Sequence, residues 1–221
     1  MGPVIFTAWD IETDTSGGFG LDPNHGGITS IAAGVYSLAP DGDLAELHQF
    51  YACAGTGMSE AEVLGKFDRW LNVFAPLGDL VGWNSSCFDA PFCFRRAEIL
   101  GLRLDLFLSF DPDIVPKYDP TPGFAGGYRH RWHGVTGFDL AFDRVAFTRA
   151  WCDDNGVKYS LKPVAQHFGL EPIEVARDRV HELTADELRA YNLSDVRATA
   201  WLAGRAWLGE AMPAPSTAAQ Q

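Results

Sequence analysis

A single α/β domain on a mixed five-stranded sheet is the fold that the sequence predicts. Three β-rich runs joined by turn signals open the chain, which predicts an antiparallel meander. Two capping boxes open segments of helical apolar spacing, and short apolar runs suited to parallel strands lie between the helices. The chain has 221 residues, 47% hydrophobic and 21% charged, an ordinary composition for one packed domain.

Val4 to Trp9 reads as a buried strand ending on Asp10-Ile11-Glu12. Residues 14–27 hold five glycines, two aspartates, a proline and a histidine, which predicts a flexible loop. Thr29 to Leu38 is the second strand, Pro40-Asp41-Gly42-Asp43 the turn, and Leu44 to Tyr51 the alternating hairpin partner. Ser59-x-x-Glu62 is a capping box, after which Val63, Leu64, Phe67, Trp70, Leu71 and Phe74 recur at helical spacing. Asp79 to Trp83 reads as a short buried strand. Asp89-Ala90-Pro91 then opens a helix, with Asp89 able to cap it and Pro91 tolerated in its first turn, closing near Gly101. Residues 109–137, rich in Pro, Gly and Asp, read as a long insertion or active-site loop. Phe138 to Leu140 is a further strand, leading into a helix through Trp151. Ser160 caps a short helix that stops at Gly169. Thr184-x-x-Glu187 is the second capping box, and its helix runs through Tyr191, Asp195 and Trp201 to about Leu208. The domain is therefore expected over 1–208, with 209–221 a disordered tail of small and polar residues.

Charge narrows the function. With 29 Asp+Glu against 17 Lys+Arg, the net charge of −12 excludes a protein that coats nucleic acid or a membrane surface through broad basic patches. It leaves room for a local site that holds cations. Cys53, Cys87, Cys93 and Cys152 form no Cys-x-x-Cys pair, so buried thiols in a reducing compartment are expected. No signal peptide and no apolar run long enough to span a bilayer is read in the chain, so the expectation is a cytoplasmic protein without a membrane partner.

The chemistry-bearing residues are acids. Asp10 and Glu12 are two apart on a strand and share a face. Tyr191 and Asp195 are four apart on a helix and share a face. Asp89 stands at a helix N-terminus, where the dipole favours a carboxylate. Singly, each has an ordinary structural explanation, as a solvated turn residue or a plain helix face.

Together they carry a resemblance. Trp9-Asp10-Ile11-Glu12-Thr13 resembles the first motif of DEDD-type 3′–5′ exonucleases of the ribonuclease H-like (DnaQ-like) superfamily. Gly82-Trp83-Asn84 through Phe88-Asp89-Ala90-Pro91-Phe92 is similar to their second motif, in the form of family B DNA polymerase proofreading domains. Tyr191-Asn192-Leu193-Ser194-Asp195 matches the third motif in its tyrosine version, DEDDy. Tyr159-Ser160-Leu161 through Gly169-Leu170-Glu171 is similar to the segment preceding that third motif. The resemblance spans residues 5 to 202. The three motifs in order are specific, whereas an Asp-x-Glu alone is not.

The resemblance implies a ribonuclease H-like fold and a two-metal-ion hydrolysis of terminal phosphodiesters that releases nucleoside 5′-monophosphates. Converging acids repel unless cations are bound, and all-oxygen ligands select hard ions such as Mg²⁺ or Mn²⁺, about 3.5–4 Å apart. By similarity, Asp10 bridges both ions, Glu12 and Asp195 complete the site that activates water, and Asp89 holds the second ion, directly or through water. Tyr191 orients the attacking water. Thr13, Asn84 and Phe88 are carried over as strand-binding candidates, with a core role for Phe88 as the alternative. Arg129, Arg131 and Trp132 lie in the one basic, aromatic-interleaved stretch, able to track phosphates or clamp a base, or else to pack as a surface loop. Lys162 reads as a solvated lysine, with approach to a phosphate as the other possibility.

The implied substrate is a single-stranded 3′ end. DNA is favoured over RNA by the polymerase-like second motif, with an exoribonuclease of the same chemistry as the alternative. A nuclease fold without activity, used as a binding module, is the reading from another class, opposed by the presence of all four acids and the tyrosine. The glycine-rich loop 14–27 and the stretch 109–137 are candidates for restricting the accepted end, or for docking a partner such as a polymerase or helicase.

Overall fold

The computed structural model of the chain describes residues 2–18, 20–55, 57–85, 88–104, 115–116, 128–129, 137–140 and 149–208. Three strands form the expected meander: β1 (Val4–Thr13), β2 (Ile28–Leu38) and β3 (Leu44–Cys53). β1 pairs antiparallel with β2, and β2 antiparallel with β3. On its other edge β1 pairs in parallel with β4 (Asp79–Gly82), completing a mixed sheet in the order β3-β2-β1-β4. A short pair, β5 (Val115–Pro116) with β6 (Tyr128–Arg129), stands apart from it. A three-residue segment, β7 (Gly137–Asp139), runs in parallel beside β4.

Helices cover both faces. α1 (Glu60–Phe74) opens with the expected capping box: the Ser59 N–H donates to Glu62 Oε2 at 2.7 Å, and the Glu62 N–H donates to Ser59 Oγ at 3.3 Å. α2 (Asp89–Ile99), α3 (Arg149–Asp154), α4 (Leu161–His167) and α5 (Ala185–Leu208) follow. α5 opens with the second box, the Thr184 N–H donating to Glu187 Oε2 at 2.8 Å.

The period of two along β1 divides the core. Phe6 and Ala8 face the layer containing α5, where Val164, Val196 and Leu202 pack on them. Trp9 and Ile11 face the layer of α1 and α2, against Phe67, Leu71 and Phe92. The polar end of β1 therefore continues the α5 face: after Phe6 and Ala8 come Asp10 and Glu12.

Two local expectations are corrected. Asp89 does not cap α2; it is the first helical residue, the cap position falls on Phe88 without a side-chain bond, and Asp89 is committed elsewhere. Ser160 occupies the cap position of α4, but its hydroxyl makes no capping bond. The loop read over 14–27 carries hydrogen bonds at its base and to α2. The Asp14 N–H donates to the Gly27 carbonyl at 2.8 Å, closing the loop at its base. Thr13 Oγ1 donates to the Gly20 carbonyl at 2.6 Å. Arg96 reaches from α2 to the Pro23 carbonyl at 2.9 Å while pairing with Glu60, whose carboxylate accepts the Ile28 N–H at 2.8 Å.

Cys87, Arg131, Trp132, the side chain of Arg129, most of 109–137 and the tail 209–221 lie outside the described residues. Among the described residues, no helix is long and apolar enough to cross a membrane.

Candidate metal centre

Asp10 and Glu12 share one face of β1, and Tyr191 and Asp195 one face of α5. Where the apolar packing between these elements ends, the carboxylates meet. Oxygens of Asp10, Glu12 and Asp195 all lie within 4.8 Å of one another. They line an open cleft of about 1250 Å³, as do Asp89 and Tyr191.

Asp89 reaches the cleft by another route. The parallel pairing of β1 with β4 ends at Ala8–Val81, so β1 runs on past its neighbour. The buried Asp89 carboxylate accepts the Ile11 N–H at 3.1 Å through Oδ1. It lies outside the tight group of three, yet its charge bears on both Asp10 and Glu12. The connection from β4 to α2 is tight. A Cβ at Gly82 would run into Ser85, and Asn84 takes φ +62°, a left-handed conformation that asparagine tolerates better than most residues.

Electrostatics mark the group as short of positive charge. Burial foremost pushes the Asp10 and Glu12 carboxyls well above the usual carboxylate range. Asp89, Glu12 and Asp195 add to this at Asp10, and Asp195 and Asp89 at Glu12. Burial pushes Asp195 up to about 6, against the opposing pull of Lys162. Tyr191, buried beside the same acids, is held protonated well above the ordinary phenol range. Asp195 Oδ1 is buried without a hydrogen-bond partner.

Lys162 is not a solvated lysine. Its ammonium lies 3.2 Å from Asp195 Oδ2, donates to the Ile173 carbonyl at 2.7 Å, and sits 3.7 Å from the centre of the Tyr191 ring. One monovalent cation is thus built into a site of four acids. Sequence reading missed its role because each partner is distant along the chain. It also missed Arg177, exposed on the cleft lip in the 3₁₀ turn Arg177–Glu182, which no local pattern singles out.

The other predicted binding residues divide. Asn84, Phe88 and Thr13 line the cleft. Phe88 also packs on Phe92, ring centres 5.3 Å apart, so it has a core contact and a cleft face. Trp83 and Tyr159, ring centres 5.9 Å apart, add an aromatic wall that sequence reading did not single out for binding.

The donor set fits divalent cations: carboxylate oxygens only, one of them buried and unpartnered, with mutual repulsion that a cation would relieve. Asp10, Glu12 and Asp195 could hold one ion.

Comparison with protein-family models and with curated proteins finds no match. Among solved structures, the chain is similar to the family B DNA polymerase from the hyperthermophilic archaeon Pyrobaculum calidifontis, with a TM-score of 0.63 and 23% identity. The match covers 92% of this chain and 24% of that one, so the chain spans about a quarter of the polymerase and shares the fold of that part.

Proposed function

We propose that the protein is a metal-dependent 3′–5′ exonuclease of the DEDDy type, acting on single-stranded DNA ends, on a ribonuclease H-like fold. The observation that carries this reading is the meeting of Asp10, Glu12 and Asp195 in one open cleft, beside Tyr191 and Asp89.

Asp10, Glu12 and Asp195 would hold one Mg²⁺ or Mn²⁺, and Asp10 with Asp89 a second. Such ions supply charge stabilisation at a phosphodiester and activation of water at neutral pH. The chain's own residues do the rest. Glu12 and Asp195 offer acceptor oxygens to the attacking water. The Tyr191 phenol keeps its proton and donates it in a hydrogen bond that orients that water. Lys162 holds one Asp195 oxygen at 3.2 Å. The water oxygen bonds to phosphorus as the bond from phosphorus to the preceding 3′-oxygen breaks. A proton from that water ends on the departing oxygen, and a nucleoside 5′-monophosphate leaves. Phe88, Trp83 and Tyr159 offer ring faces on which terminal bases stack.

The test is a substrate panel: labelled single-stranded DNA, duplex DNA and RNA incubated with Mn²⁺ or Mg²⁺. Fastest shortening of single-stranded DNA is expected. Faster cleavage of RNA assigns the site to ribonucleotides, and no cleavage of any substrate leaves a binding module as the better reading.

A further inference from the structure

A strand that enters an acidic cleft needs a cation free to meet its phosphates. Lys162 cannot serve, because its ammonium is shared among Asp195, the Ile173 carbonyl and the Tyr191 ring. Arg96 is engaged with Glu60 and the Pro23 carbonyl, and Arg179 with Glu182 at 2.8 Å. Two cations differ: Lys158 and Arg177 both line the cleft, are exposed, and form no ion pair among the described residues. Of the two, the guanidinium of Arg177 is the better match to a phosphate.

We propose that Arg177 is a phosphate-binding residue, gripping the nonbridging oxygens of a strand that lies in the cleft Glu12 and Tyr191 also line. This rests on the exonuclease reading and adds a strand-holding group to it. Its position is given by the cleft lining, which Arg177 shares with Glu12, Tyr191 and Asp195. A guanidinium suits the task because its planar fork meets two phosphate oxygens at once. In a protein of net charge −12, this local cation also offsets repulsion where the strand must approach.

The test is the affinity of the full-length protein for a 5′-labelled oligothymidylate in Ca²⁺, across a potassium chloride series. Arg177→Gln should raise Kd about tenfold at low salt and flatten the slope of log K against log salt by about 0.7, the value of one phosphate contact on a single strand. Arg177→Lys should keep the slope while losing part of the affinity. Arg179→Gln removes the same charge from the same turn at a residue that does not line the cleft, and should change neither. Methylphosphonate linkages placed one at a time should weaken the wild type at one position and leave Arg177→Gln unaffected there. A wild-type slope in Arg177→Gln, or equal flattening by Arg179→Gln, overturns the proposal while the exonuclease reading stands. A wild type that neither binds nor shortens single strands overturns both.

Discussion

Lys162 holds its ammonium 3.2 Å from one oxygen of Asp195, while the other oxygen of that carboxylate is buried with no hydrogen-bond partner. Half of Asp195 is thus satisfied by the protein, and the other half is not. Removing the lysine unbalances the site further. Lys162→Met should lower the melting temperature of the metal-free protein at pH 8, because an uncompensated buried carboxylate remains. It should also enlarge the rise in melting temperature that Mn²⁺ produces. Thermal melts with EDTA and with Mn²⁺ check both, and an unchanged metal-free melt would remove Lys162 from the electrostatics of the site.

The acids also set a pH dependence with a definite sign. Burial raises the carboxyls of Asp10, Glu12 and Asp195 in the folded protein, Asp195 to about 6, above their unfolded values near 4. The folded state therefore binds more protons than the unfolded state in this window, and their contribution to stability falls as pH rises through it. In EDTA, the melting temperature of wild type relative to Asp195→Asn should fall between about pH 4 and pH 8. Divalent cation should reverse that fall at the alkaline end. A difference that grows with pH in EDTA would contradict the assignment.

Asp195→Asn keeps the shape of the side chain and removes its charge. Nuclease activity should drop by about a hundredfold or more, since a cation ligand is lost. The metal-free protein should meanwhile become more stable, because a repelling charge leaves a buried cluster. Kinetics and melts on one preparation separate the two effects.

Asn84 combines an unusual backbone with a place in the cleft. Asn84→Gly accepts φ +62° without strain, so its melting temperature should lie above that of Asn84→Val. Asn84→Val should cost about 1–2 kcal/mol, because a branched side chain resists that conformation. If the amide touches the strand, Asn84→Gly raises KM while the fold is unchanged, which steady-state kinetics read directly.

Local signals carried much of this architecture. Both capping boxes and the hairpin of β2 with β3 depend on residues close along the chain, and they form as read. The same is true of the Asp10–Glu12 and Tyr191–Asp195 pairs, whose shared faces follow from strand and helix periods. What escaped depends on residues far apart. Asp89 resembles a cap until Ile11, from another element, claims its carboxylate. The glycine-rich loop reads as flexible from its composition, and its contacts with Arg96 and across Asp14–Gly27 are not legible there. Lys162 becomes part of the site only when Ile173 and Asp195 fold onto it.

The most direct test follows a 5′-labelled single strand over time with Mn²⁺, beside Asp10→Ala and an EDTA control. The expected result is a ladder shortening from the 3′ end, with nucleoside 5′-monophosphates as product and neither ladder nor product in the controls. A wild type whose melting temperature rises with Mn²⁺ but which leaves the strand intact, or a ladder that survives Asp10→Ala, would contradict the account.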